Sequence, residues 1–127
     1  MDGRKDMEVA MYKVNYNQVK QVGVEEGGAK GVALRWVISE REGAENFALR
    51  VFTLEPGGFT PLHEHPWEHE VFILRGSGHV VEGGKDVPFE QGDVIFVPAG
   101  ETHRFKNVDD AELEFICLIP IDKKGSC

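Results

Sequence analysis

The feature that most restricts the fold of this chain is a succession of short apolar runs, each closed by turn-forming residues. Residues 32–38, 47–54, 71–74, 94–97 and 113–119 are rich in Val, Ile and Phe and have the length of strands. Between them stand Pro56-Gly57-Gly58, Gly76-Ser77-Gly78, Gly83-Gly84, Gln91-Gly92-Asp93 and Pro98-Ala99-Gly100, which carry turn chemistry. No window combines a 3.6-residue apolar period with caps, so no amphipathic helix is expected. Closely spaced strands of this kind fold as a sandwich or a barrel. The reading is therefore an all-β chain, with one or two edge strands over residues 9–24 and flexible ends at 1–6 and 123–127.

At 127 residues the chain has room for a single domain, 1–127, with no internal repeat and no linker. Its net charge of -8 repels phosphates, so neither nucleic acid nor an anionic membrane surface is expected as a partner. No apolar stretch is long enough to cross a bilayer, and the charged start Met1-Asp2-Gly3-Arg4-Lys5-Asp6 lacks the apolar segment of a signal peptide. The two cysteines, Cys117 and Cys127, form neither a disulfide framework nor a CxxC pair. That suits a reducing compartment, and the expected location is the cytoplasm. Only four Asn and three Gln occur, a composition that suits a heat-adapted protein.

Chemistry concentrates in the histidines. Three of the five fall within seven residues, His63, His65 and His69 in His63-Glu64-His65-Pro66-Trp67-Glu68-His69-Glu70, and His103 follows Pro98-Ala99-Gly100-Glu101-Thr102. Residues two apart on a strand share a face, so His63 and His65 project together, and Glu64 projects away. Pro66 interrupts that strand and lets His69 return toward the same point. A convergent set of imidazoles is costly unless something binds it, and neutral imidazole is the commonest metal ligand. A helical zinc motif does not fit, because Pro66 would break the helix. Gly76-Ser77-Gly78 lacks the third glycine of a dinucleotide loop, Val81 standing in its place.

In these residues the chain resembles the cupin superfamily. Gly57, His63, His65 and Gly76 follow the first cupin motif (residues 57–76), and Gly92, Pro98, Gly100, His103 and Asn107 follow the second (residues 92–107). Both motifs lie between residues 57 and 107 of the 127. Where the first motif has a Glu after three or four residues, a spacing of three lands on His69 and a spacing of four on Glu70. His69 is favoured, because its distance to Gly76 matches the motif's closing glycine and alternation turns only one of the two neighbours inward. Glu70 then faces away or accepts a hydrogen bond from an imidazole.

The resemblance implies a double-stranded β-helix (a jelly-roll barrel) with one divalent metal ion at its centre. Small four-histidine cupins share the Pro-Trp-Glu-His-Glu segment, and the ligand set implied here is His63, His65, His69 and His103, with Mn favoured and Fe, Zn, Ni or Cu open. Four neutral imidazoles leave the cation its full charge and two adjacent positions open, an arrangement for chemistry rather than structure. Occupancy should fall below about pH 6 as the rings protonate.

Alternation over 113–119 places Leu113, Phe115, Cys117 and Ile119 on the apolar inner face, so Phe115, Cys117 and Ile119 are candidate pocket walls. Arg50, the one charge in its strand, either projects into the pocket toward an anionic or carbonyl group or pairs with a surface Glu. Trp67 is expected at the barrel mouth or an interface, and His79 at the surface. No residue is assigned as catalytic. Ile116 and Leu118, on the outer face of the last run, point to a two-fold homodimer.

The leading expectation is a metal-dependent oxidoreductase of the dioxygenase kind, acting on a small apolar or aromatic substrate. The alternatives are an isomerase or decarboxylase of a small acid or sugar, and a non-catalytic binder of a small ligand.

Overall fold

The computed structural model describes residues 11–127, so the expectations for residues 1–6 and for the start of the 9–24 segment lie outside the described residues. Among those described there are nine strands: β1 (Val22–Val24), β2 (Lys30–Ile38), β3 (Phe47–Phe59), β4 (His69–Arg75), β5 (Ser77–Glu82), β6 (Lys85–Glu90), β7 (Val94–Val97), β8 (His103–Lys106) and β9 (Leu113–Pro120). The only helices described are three single 3-10 turns, which bears out the all-β reading.

The strands form one curled antiparallel sheet in the order β6-β5-β8-β3-β9-β4-β7, with β2 also on β3 and β1 on β2. β3 is its spine. Residues 47–54 pair with β9, and Phe59 pairs with Lys106 of β8. Pro56-Gly57-Gly58, expected as a turn, is instead a bend inside β3, with Gly57 at φ 79° and a register shift against β2 between Lys30 and Val32. A Cβ on Gly58 would stand 2.8 Å from the Lys30 oxygen, so only glycine lets the two backbones approach there. Gly76-Ser77-Gly78 likewise runs straight into a strand.

Alternation sorts the side chains by face. Along β9, Leu113, Phe115, Cys117 and Ile119 are at most 2% exposed, and Ile116 and Leu118 lie on the other side, half-buried. Phe115 stacks on Phe52 at 5.4 Å and meets Phe105 at 5.0 Å, in a core shared with Leu54, Ile73 and Val97. Each such side chain contributes roughly 1.5–3 kcal/mol through burial. The outer side of β9 is held differently. The Glu114 carboxylate accepts hydrogen bonds from Tyr16 (2.7 Å), Thr53 (2.8 Å) and Arg75 (3.1 Å), tying the N-terminal segment, β3 and β4 to β9. Burial pushes its pKa up, but those three hydrogen bonds together outweigh burial and the net direction is down.

Within residues 123–127, Lys123 and Lys124 are exposed, but after β9 the backbone reverses through Asp122 (φ 73°) and Gly125 (φ 106°), and Ser126 and Cys127 are 4% and 0% exposed inside the barrel. Cys127 is joined to Cys117 by a disulfide, so the two cysteines are not free thiols. Among the described residues, no helix is long and apolar enough to cross a membrane.

Candidate metal centre

His63 and His103 form an isolated antiparallel bridge, each backbone N–H donating to the other's oxygen at 3.1 and 2.9 Å. Directly opposed residues carry their side chains close together, and these two rings lie 4.7 Å apart. The next loop is pinned by the Gly100 N–H, which donates to the His65 oxygen at 2.7 Å. His65 lies 4.4 Å from His63 and 5.0 Å from His69, the latter opening β4 opposite Val97 of β7. His69 and His103 are 1% exposed and 5.4 Å apart. The structure thus gathers His63, His65, His69 and His103 at one place. Trp67 closes one side, stacked on His65 at 4.6 Å.

Main-chain oxygens orient the rings. His63 Nδ1 lies 2.6 Å from the Pro61 oxygen and His103 Nδ1 lies 2.8 Å from the Glu101 oxygen. A carbonyl only accepts, so Nδ1 of His63 carries the hydrogen and leaves its Nε2 with a lone pair directed inward, whereas His103 meets main-chain oxygens at both ring nitrogens. Nε2 of His63 and of His69 are buried without a hydrogen-bond partner. Burial, reinforced by neighbouring histidines, pushes His63 down to about 4 and His69 to about 3; it lowers His65 as well. These three rings are neutral at pH 7. Buried lone pairs without partners cost about 1–3 kcal/mol each unless a ligand takes them. The donor set fits a divalent transition-metal ion.

The other candidate residues fall around this group. Arg50 is fully buried, turned inward rather than toward a surface Glu, and no carboxylate among the described residues lies within ion-pair distance. Its guanidinium donates to the Gly125 oxygen, and to Cys117 Sγ at 3.3 Å, while Nε has no partner. It lies over the Phe52 ring at 4.9 Å and the Trp36 ring at 5.1 Å. Burial lowers its pKa to about 9, which leaves it a cation at neutral pH. Cys117 Sγ lies 3.3 Å from His69 Nδ1. Phe115 is packed into the aromatic core, and Ile119 is buried opposite Ala48. Glu70 is exposed on the outer side, opposite Phe96 and Leu118. His79 sits on β5 beside Asp86, at 3.4 Å.

The sequence reading missed the tail. Ser126 O lies 3.0 Å from His65 Nε2, and the main-chain oxygen of Cys127 lies 3.0 Å from His103 Nε2. Among the described residues, the group whose ligand atoms all fall within 4.8 Å of one another is His69, Cys117 and Cys127, not the four imidazoles. The available signal was the recurrence of Cys ten residues after Cys117.

Comparison with known proteins bears on the chain's family and fold. The family described as Cupin domain matches residues 50–119. The chain is 38% identical over 96 residues to an oxalate-binding protein of Thermotoga maritima, covering 72% of this chain and 78% of that one. Among solved structures, the polyketide cyclase RemF from Streptomyces resistomycificus superposes with a TM-score of 0.85 at 35% identity, over 91% of this chain and 83% of that one. A predicted oxalate decarboxylase from Thermotoga maritima superposes with a TM-score of 0.77 at 31% identity, over 87% and 99%.

Proposed function

Because the chain belongs to the cupin family, we propose that it is a divalent-metal cupin that takes a small carboxylate ligand. In this reading His63, His65, His69 and His103 hold the cation, with Mn favoured over Fe, Zn, Ni or Cu, and Arg50 receives the acid. The observation that carries it is a fully buried guanidinium without a carboxylate partner among the described residues, packed beside a histidine group in which Nε2 of His63 and of His69 is itself unpartnered. A buried cation of this kind is stabilised by an anion that enters with the ligand. The similarity to an oxalate-binding protein and to a predicted oxalate decarboxylase supports a dicarboxylate.

The bound cation would supply Lewis-acid polarisation of a ligand oxygen. The chain's own residues do the positioning. Pro61 and Glu101 oxygens fix the His63 and His103 rings, Trp67 closes the side at His65, and the apolar core excludes water. Isothermal titration of oxalate and longer dicarboxylates into metal-loaded protein, with Cys117 and Cys127 reduced, tests the reading. Binding should weaken at least about tenfold in Arg50→Met with unchanged metal content, and recover in part in Arg50→Lys. Equal affinity in Arg50→Met would remove the carboxylate from the account.

A second reading, a metal-dependent oxidoreductase acting on a small apolar or aromatic substrate, has the Phe105 ring 5.8 Å from His103 and the similarity to a polyketide cyclase in its favour. Oxygen uptake with phenolic substrates would select it. Carboxylate binding without turnover would instead mark a non-catalytic binder, and turnover without oxygen a decarboxylase or isomerase. A two-fold homodimer joined through the outer face of β4, β7 and β9 belongs to the same proposal, as does a cytoplasmic setting, where a reducing pool would open the Cys117–Cys127 disulfide.

A further inference from the structure

We propose that Cys117 and Cys127 form a redox latch that holds residues 125–127 across the imidazole group, so that the oxidised chain excludes the cation and the reduced chain admits it. The inference rests on the reading of the four histidines as a cation site. Its own observations are the contacts of the tail. Three successive main-chain oxygens each meet a polar group of the site: Gly125 O accepts from Arg50, Ser126 O faces His65 Nε2, and Cys127 O faces His103 Nε2.

A carbonyl oxygen within hydrogen-bond distance of a ring nitrogen stands where a metal ion bound to that nitrogen would have to lie. His103 meets main-chain oxygens at both ring nitrogens, so the Cys127 oxygen must leave before Nε2 can bind a metal ion. Arg50 is engaged in the same way, so the latched tail occupies the carboxylate position as well. Tail and loaded site exclude one another.

The disulfide makes a three-residue segment an effective competitor. It ties Cys127 to the inner face of β9 and closes a loop of ten residues of separation, which holds the tail at an effective concentration on the order of millimolar. Gly125 fits closely over the site, since a Cβ there would stand 3.2 Å from His65 Cε1. Opening is a two-electron step. A dithiol attacks the Sγ–Sγ bond, two thiols form at Cys117 and Cys127, and the dithiol closes to its own disulfide, having supplied two electrons and two protons.

The test compares Mn(II) binding, read from the electron paramagnetic resonance of the free ion, in oxidised protein, in protein reduced with a small dithiol and desalted without oxygen, and in Cys127→Ser. Reduced protein and Cys127→Ser should bind at least about tenfold tighter than oxidised protein. Tryptophan emission of the metal-free protein gives an independent readout, because Trp67 stacks on His65 with Lys123 Nζ 5.7 Å from its ring, and Trp36 lies against Arg50. Emission should change on reduction of the wild type and stay constant in Cys127→Ser. Equal Mn(II) affinity in oxidised and reduced protein, two titratable thiols in the denatured chain without reductant, or emission indifferent to reduction would each overturn the latch. Absence of Mn(II) binding in all three proteins would strike at the metal reading instead, and the emission comparison would still decide the latch.

Discussion

His63 and His69 differ from ordinary histidines because their rings are enclosed. Their pKa values of about 4 and about 3 mean that they stay neutral where an unfolded chain's histidines protonate, near 6.5. A group whose folded pKa is lowered binds fewer protons folded than unfolded, so it costs stability as pH falls below the unfolded value. Metal-free protein should therefore lose urea resistance steadily from about pH 6.5 to about pH 4, and a flat midpoint across that window would contradict the burial of these rings. At the same scale, His69→Ala should lose bound metal and Glu70→Ala should keep it, as elemental analysis of each purified variant will read. Residue identity made the imidazoles legible in sequence, and the period of two separated His69 from Glu70. Arg50 was legible as an oddity, but its direction was not, because one charge in a strand is equally compatible with either face. The tail contacts were illegible for a different reason: they are made by main-chain oxygens, which every residue has.

At the scale of elements, glycines and one asparagine decide how the strands meet. A Cβ on Gly78 would come within 2.2 Å of the Lys106 oxygen, where β5 meets β8. Gly78→Ala should destabilise the fold by at least about 2 kcal/mol, because backbone must move to admit it. Asn107, which ends the second motif, is 2% exposed; its side-chain NH2 donates to the Leu54 and Ala111 oxygens and its Oδ1 accepts from the Asp109 N–H. Its role is to staple the β8–β9 connection, so Asn107→Ala should cost roughly 2–4 kcal/mol in chemical denaturation while metal-binding stoichiometry is kept. An intact midpoint would deny that role. The strands rich in Val, Ile and Phe were legible because apolar runs announce themselves. β5 and β6 were not, since Gly76-Ser77-Gly78 reads as turn chemistry and both strands are short of apolar residues. The bend in β3 was mistaken for a turn, because local Pro-Gly-Gly chemistry is the same whether a chain reverses or only changes partner.

For the whole molecule, the curled sheet leaves one side of β4, β7 and β9 open. Phe72, Val94 and Phe96 are 44%, 73% and 56% exposed there, around a groove floored by Ile116 and Leu118. The proposed homodimer would cover this face, and Phe96→Asp should shift the mass in light scattering from dimer to monomer without unfolding. A wild type that is monomeric at high concentration would withdraw the dimer. The barrel itself was legible from the spacing of runs and turns, and the contacts of residues 125–127 with Arg50, His65 and His103 were not, since they accompany a covalent bond between residues that pattern alone does not pair. The most direct test of the central claim, four imidazoles around one cation inside the barrel, is anomalous diffraction from crystals of reduced, Mn-loaded protein. One strong peak is expected within bonding distance of Nε2 of His63, His65, His69 and His103. A peak held instead by His69, Cys117 and Cys127, or none inside the barrel, would contradict it.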